Sequence, residues 1–168
     1  MLVGLPGAGK TTIGRRVARE LAVPFLDLDA EIERVEGRTV AEIFATHGEP
    51  YFRERERAVT GGLRERPPMV VAPGGGWVID PTNPALLRPP ARIIYLRVSP
   101  KLAVRRMGAG VRRRPLLAGP DPVGALERLL AEREAAYATA DATVHTDGLT
   151  QPQIAAAIRA AVLGLWTP

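Results

Sequence analysis

The sequence predicts an α/β fold, a three-layer αβα domain in which a parallel sheet carries helices on both faces. Three observations predict it. Gly4 to Thr12 reads GLPGAGKTT and fits the phosphate-loop pattern G-x-x-x-x-G-K-[ST]. Short apolar runs alternate with helical patterns five times, as expected of parallel strands joined by crossover helices. The 168 residues, 46% hydrophobic and 24% charged, suit one soluble domain with one core, spanning 1–168.

The first strand is Met1-Leu2-Val3, which runs straight into the loop. Glycines at 4, 7 and 9 let the backbone curl and turn successive N–H groups inward as an anion nest. Lys10 adds a point charge for the β- and γ-phosphates, and the Thr11 hydroxyl can ligate Mg2+. Ile13, Val17 and Leu21 recur at helical spacing, so the loop opens a helix whose N-terminus favours anions. Pro24 to Leu28 is a second strand. Asp27 and Asp29 alternate along this segment and are expected on one side of its C-terminal end, where an open α/β sheet binds ligands. The plainer expectation is that they cap the next helix, Ala30 to Glu36.

Thr39 to Glu42 forms a capping box that starts a helix running to His47; Gly48 breaks it. A charged helix follows from Glu49-Pro50 to Glu65. Its interleaved charges predict a solvated face for Arg55 and Arg57, whereas Arg53 near the helix start is expected at the crevice. Met69 to Ala72 is the third strand and ends in Pro73-Gly74-Gly75-Gly76, where a ligand or another chain segment can approach closely. It does not end in the Mg2+-orienting acid of motor or switch NTPases, so Asp27 and Asp29 are the acids left for the metal. Asp80 to Pro90 holds a short helical piece at most. Arg92 to Leu96 is the fourth strand, and Pro100 opens a helix capped by Ser99.

Residues 108–122 carry Gly108, Gly110, Arg112-Arg113-Arg114 and Gly119-Pro120, without helical periodicity. That is the composition of a mobile lid able to close over a triphosphate. Val123 to Ala138 is helical and carries Arg133. Ala142 to Thr146 is the fifth strand. Thr150 and Gln153 cap a last helix, which Trp166 is expected to pack down. His47 and His145 have no metal-ligand spacing and are expected to be structural or surface residues.

The bulk composition narrows the classes further. No apolar run reaches a membrane span, no leader is expected ahead of the loop, and there is no cysteine. A cytoplasmic protein is the expectation. The net charge of +5 admits an anionic substrate or nucleic acid. Arginine supplies nearly all the cations, which reads as genome composition; one of the two lysines is nevertheless Lys10. Aromatics are only 5%, too few for the stacking platforms of a single-strand binder using Arg112 to Arg114, so no nucleic-acid partner is expected.

Six segments, in order, resemble the shikimate kinases: GLPGAGKTTIGRRVA, FLDLDAEIE, GEPYFRERE, PGGGW, RRRPLLAGPD and the ERxxxY run from Glu132 to Tyr137. The resemblance implies a P-loop kinase fold with a five-stranded parallel sheet in the order 2-3-1-4-5 and a mobile lid. It implies transfer of the ATP γ-phosphoryl group to the 3-hydroxyl of shikimate, with Mg2+, in a monomer. By the same resemblance Gly7, Ala8, Gly9, Lys10, Thr11 and Thr12 bind the phosphates. Thr11 ligates Mg2+, and Asp27 lies near its water shell. Asp29 binds shikimate hydroxyls and is the candidate base. Arg53 and Arg133 hold the carboxylate, and Gly74, Gly75 and Gly76 contact the substrate. Arg114 reaches ATP from the lid, and Arg106 lies beside adenine. The substrate helices span about 29–57 and the lid about 108–122.

Two departures stand out. Family members have several more residues before the loop, so the expectation here is a misassigned start or a short first strand that weakens the fold. The loop Asp147 to Gln151 lacks the basic residue that some members place near adenine, and contacts there are expected to be backbone-mediated. The rival readings are another small kinase such as a gluconate kinase, a basic nucleic-acid-binding module, and a non-catalytic paralogue. The intact Lys10, Thr11, Asp29, Arg53 and Arg114 set argues against the last.

Overall fold

A computed structural model describes residues 1–117 and 119–164, apart from the side chains of Arg112, Arg113 and Pro115. The expected packing of Trp166 lies outside the described residues. Five strands are present among them: β1 (Leu2–Val3), β2 (Phe25–Asp27), β3 (Val70–Ala72), β4 (Ile94–Arg97) and β5 (Ala142–His145). The helices are α1 (Lys10–Glu20), α2 (Leu28–Glu36), α3 (Val40–Gly62), α4 (Thr82–Leu87), α5 (Pro100–Met107), α6 (Pro122–Tyr137) and α7 (Gln151–Val162). All strand pairs are parallel, as crossover helices require.

The expected continuous sheet of order 2-3-1-4-5 is not what the backbone forms. β1, β4 and β5 make one three-stranded sheet in the order β1-β4-β5, and β2 pairs with β3 in a separate two-stranded sheet. β1 and β3 pack against each other, but no ladder joins them. β1 has only two residues, so it offers few backbone groups for a second ladder beyond its register with Ile94 and Tyr95.

The central strands are covered on both faces. Successive strand residues point to opposite sides, yet Leu2, Val3, Val70, Val71, Ala72, Ile94, Tyr95 and Leu96 are all buried. α1 and α7 pack on each other, and α5 and α6 form a second pair. The helix starts follow local chemistry. Thr39 accepts from the Glu42 N–H at 3.2 Å while Glu42 accepts from the Thr39 N–H at 2.7 Å, and Thr150 with Gln153 repeats the arrangement. Gly48, at φ 76°, kinks α3 where the sequence predicts a break.

Two boundaries differ from expectation. The second strand ends at Asp27 and α2 begins at Leu28, so Asp27 and Asp29 do not alternate along a strand. Asp27 is instead the α2 cap and Asp29 sits in the first helical turn. In the expected lid, Gly108–Arg113 and Pro115–Leu117 form 3-10 turns, and Val111 and Leu117 are tucked into the core. Glycines and arginines dominate that stretch in sequence and mask the two apolar anchors.

Within α2, Glu31 accepts from Arg34 at 2.8 Å, and it also accepts from Arg66 at 2.7 Å. These hydrogen bonds hold its carboxyl down at about 2. A depressed folded-state value stabilises the native state fully above the unfolded value near 4.5, and the contribution disappears as pH falls toward 2. Glu31→Gln is expected to cost about 1–2 kcal/mol at neutral pH, because both arginines remain partly in water. The difference between variant and wild type should shrink in urea melts between pH 4.5 and 2.

Candidate active site

The loop after β1 is shaped by glycines where no other residue fits. Gly4 has φ 144°, and a Cβ there would lie 2.6 Å from the Leu96 carbonyl oxygen. Gly7 has φ 82°, and its Cβ would meet the Ala103 carbonyl oxygen at 2.6 Å. The loop is thus pressed between the end of β4 and α5 before it enters α1. Lys10 Nζ donates to the Gly4 carbonyl at 2.8 Å and to the Leu5 carbonyl at 3.2 Å, curling back over its own loop. Burial lowers Lys10 to about 8, aided by Arg114, although Asp29 and Asp27 pull the other way. An anion placed in the loop would relieve both the burial and the Arg114 repulsion.

A cleft of about 550 Å³ opens beside this loop. Pro6 to Ile13 form one wall, and Arg106, Arg114, Leu149 to Gln151 and Ile154 the others. Arg106 is held there by two bonds to Thr146, 2.9 Å to Oγ1 and 2.8 Å to the carbonyl. The loop after β5 therefore does reach the cleft, through Leu149, Thr150 and Gln151. Thr11 Oγ1 donates to Asp27 Oδ2 at 3.1 Å, so two hard oxygens meet at the loop's edge.

A second group gathers around the glycine turn that follows β3. Each glycine's missing side chain is replaced by a group from elsewhere. The Cβ position of Gly74 lies 3.0 Å from Asp29 Oδ1, that of Gly75 lies 3.2 Å from Arg133 Nη1, and that of Gly76 lies 2.7 Å from Arg53 Nη2. Residues from α2, α3 and α6 converge on three consecutive residues. Pro6 of the phosphate loop also lies close, 3.5 Å from the Gly75 position, so the two halves of the site adjoin. Asp29 Oδ1 and Arg133 Nε are buried without a partner among the described residues, and such atoms call for a ligand. Burial raises Asp29 above the usual carboxylate range, reinforced by Asp27 and opposed by Lys10 and Arg53.

Arg53 is aimed by two carboxylates, Glu49 and Glu56, each at 2.9 Å. Glu56 is fully buried, and burial raises its carboxyl even though Arg53 holds it down. The charge pattern of α3 reads as a solvated face and conceals this residue. The signal lies in its phase, since Phe52, Glu56 and Thr60 recur every four residues and all are buried. Arg57 is only half-exposed and pairs with Asp80 at 2.9 Å. Tyr137 and Trp77 stand in two of the resembling segments, but the sequence reading gives neither a role at the site. The Tyr137 hydroxyl donates to the Gly75 carbonyl at 2.8 Å, and Trp77 Nε1 donates to Thr60 at 2.9 Å. His47 and His145 lie at the surface, His47 stacked on Tyr51 at 4.6 Å.

A loop for phosphates thus stands beside a pocket made of one carboxylate, two guanidiniums and glycine backbone. The family model for shikimate kinase matches residues 6–163. The chain belongs to the shikimate kinase family. Shikimate kinase from Nitrobacter winogradskyi is 47% identical over 146 residues, covering 85% of this chain and 66% of that protein. The chain thus spans just under two thirds of that relative's length. Shikimate kinase from Acinetobacter baumannii, solved in complex with shikimate, superposes with a TM-score of 0.88 at 37% identity, covering 97% of this chain and 91% of the other. A gluconokinase from Sinorhizobium meliloti shares the fold alone, at a TM-score of 0.60 and 20% identity. The family fold is the α/β P-loop kinase fold, which agrees with the loop, the parallel strands and the crossover helices. Shikimate kinases take ATP as co-substrate.

A methyl at position 76 would strike only the tip of Arg53, a flexible side chain. Gly76→Ala is expected to keep the melting temperature within a few degrees. Phosphoryl-transfer turnover should fall by roughly ten- to a hundredfold, since a misplaced orienting group costs that much.

Proposed function

We propose that this chain phosphorylates the 3-hydroxyl of shikimate with ATP, giving shikimate 3-phosphate and ADP, in the route to chorismate and aromatic amino acids. The observation that carries the reading is the convergence of Asp29, Arg53 and Arg133 on Gly74, Gly75 and Gly76 beside the phosphate loop. A hydroxylated acid needs a carboxylate for its hydroxyls and planar cations for its own carboxylate. The family membership supports the same substrate.

Gly7 to Thr12 would hold the triphosphate, with Lys10 released from the Gly4 and Leu5 carbonyls to reach the β- and γ-phosphates. Arg114 would bring a second cation from the lid, over 108–122, and Arg106 would lie against adenine. The hard oxygens of Thr11 and Asp27 fit Mg2+ and would hold it. When bound it supplies charge neutralisation on the phosphate oxygens. Asp29, raised by burial and Asp27, would orient the shikimate hydroxyl and accept its proton late in a loose transition state. Arg53 and Arg133 would clamp the carboxylate, with Glu49 and Glu56 fixing the Arg53 plane. The family resemblance supports a single-domain monomer, with substrate helices about 29–57; use of ATP fits a cytoplasmic location.

A coupled ADP-release assay with shikimate and gluconate tests the reading. Turnover with shikimate and not gluconate is expected; the reverse result would sink it. Asp29→Asn should lower kcat by about 10²–10⁴-fold with the melting curve retained. In wild type, kcat/KM should rise with pH as Asp29 loses its proton, at a pH above the ordinary carboxylate range. It should fall again near pH 8, where free Lys10 deprotonates. The basic limb should be absent from kcat at saturating ATP, because bound phosphate keeps Lys10 charged.

A further inference from the structure

The glycine turn has a polarity that its glycines alone do not impose. The Gly74 carbonyl accepts from the Trp77 N–H at 3.2 Å, and the Gly76 carbonyl accepts from the Ile79 N–H at 3.1 Å. The Trp77 carbonyl accepts from Asn83 Nδ2 at 2.9 Å. Between them, the Gly75 carbonyl is taken by a side chain 62 residues away, the hydroxyl of Tyr137, at 2.8 Å. Every carbonyl from Gly74 to Trp77 therefore has a donor. The N–H groups of Gly74, Gly75 and Gly76 have no acceptor among the described residues.

Tyr137 is built to hold one position. It is fully buried, and its ring stacks on Tyr95 with centroids 4.8 Å apart and planes 16° from parallel. Tyr95 is tied by its hydroxyl to Glu134 at 3.0 Å, and Glu134 pairs with Arg97 at 3.3 Å. Burial raises the Tyr137 phenol above its ordinary range, so the hydroxyl remains a donor through neutral pH. Arg133 lies one turn earlier on the same helix and reaches the same residue, Gly75. In a trans peptide the C=O and N–H point in opposite directions. Fixing the Gly75 oxygen toward α6 therefore fixes the Gly76 N–H away from it.

We infer that Tyr137 is a positioning residue for the acidic substrate: by drawing the Gly75 carbonyl toward α6 it turns the Gly76 N–H to the side of Arg53 and Asp29, making the glycine turn a backbone donor edge. This rests on the shikimate reading above. A freely rotating Gly75–Gly76 peptide would present its carbonyl to the substrate's oxygens for part of the time and repel them.

The test compares wild type, Tyr137→Phe and Tyr95→Phe. Tyr137→Phe keeps the stacked ring and removes only the hydroxyl. Its KM for shikimate is expected to rise about 5- to 20-fold, the effect of losing one oriented hydrogen bond, with kcat and the KM for ATP within about twofold. Its assigned Gly76 amide resonance should shift while those of Gly4 and Gly7 stay in place. Tyr95→Phe loses the Glu134 bond and some thermal stability, yet should leave the shikimate KM unchanged. The inference is overturned by an unchanged shikimate KM in Tyr137→Phe, or by both KM values rising together as stability falls. A Tyr137→Phe protein too unstable to assay also overturns it, by making the residue a core element first. Wild type inactive on shikimate would remove the functional reading, and the substrate-free Gly76 amide comparison would still decide the role of Tyr137.

Discussion

Three charged side chains approach one stretch of backbone because that stretch has no Cβ atoms. Asp29, Arg53 and Arg133 come from three different helices, and each ends where a side chain at 74, 75 or 76 would begin. Like charges do not gather spontaneously in a half-buried space. Arg53 is stabilised there by Glu49 and the buried Glu56, and Lys10 and Arg53 both attract the Asp29 carboxylate. The turn that allows this is itself fixed from β3, from Trp77 with Thr60 and Asn83, and from Tyr137. The substrate half of the site is therefore a consequence of packing around a deliberately empty surface.

The phosphate half obeys a related constraint. Gly4 and Gly7 are pressed so closely against the Leu96 and Ala103 carbonyls that the loop has one path between β4 and α5. Lys10 is carried into that loop with little water and with Arg114 nearby, and it turns to its own loop's carbonyls. Such a cation is preorganised for polyphosphate, since ligand charge replaces a poor internal solvation. Thr11 and Asp27 join the two halves, because the residue that caps α2 also receives the Thr11 hydroxyl.

Much of the local structure was legible before folding. The Thr39–Glu42 and Thr150–Gln153 capping boxes, the Gly48 break and the loop-to-α1 transition all appear as read, because each depends on neighbours within four residues. At Asp27 the helix-cap alternative is the one that forms, and the strand alternation fails for an equally local reason: three residues do not distinguish a strand end from a helix cap. Glu56 was hidden because its charge suggested water while its helical phase pointed inward. Val111 and Leu117 were hidden among glycines and arginines, although they bind the segment to the core.

The sequence by itself determined the phosphate loop, the alternation of strands and helices, and the set of residue types that handle phosphate and carboxylate. These are properties of spacing and chemical identity, and they survive in a linear string. Only the tertiary structure decided that β1 joins β4 and β5 while β2 pairs with β3 apart, since a two-residue strand can be laddered on one side and merely packed on the other. It also decided that residues 29, 53 and 133, which the resemblance assigns to one substrate, meet on the glycine turn itself, and that residue 137 joins them. Those contacts span up to 62 positions, and nothing in local spacing encodes them; they form when burial of the apolar faces brings α2, α3 and α6 around the end of β3.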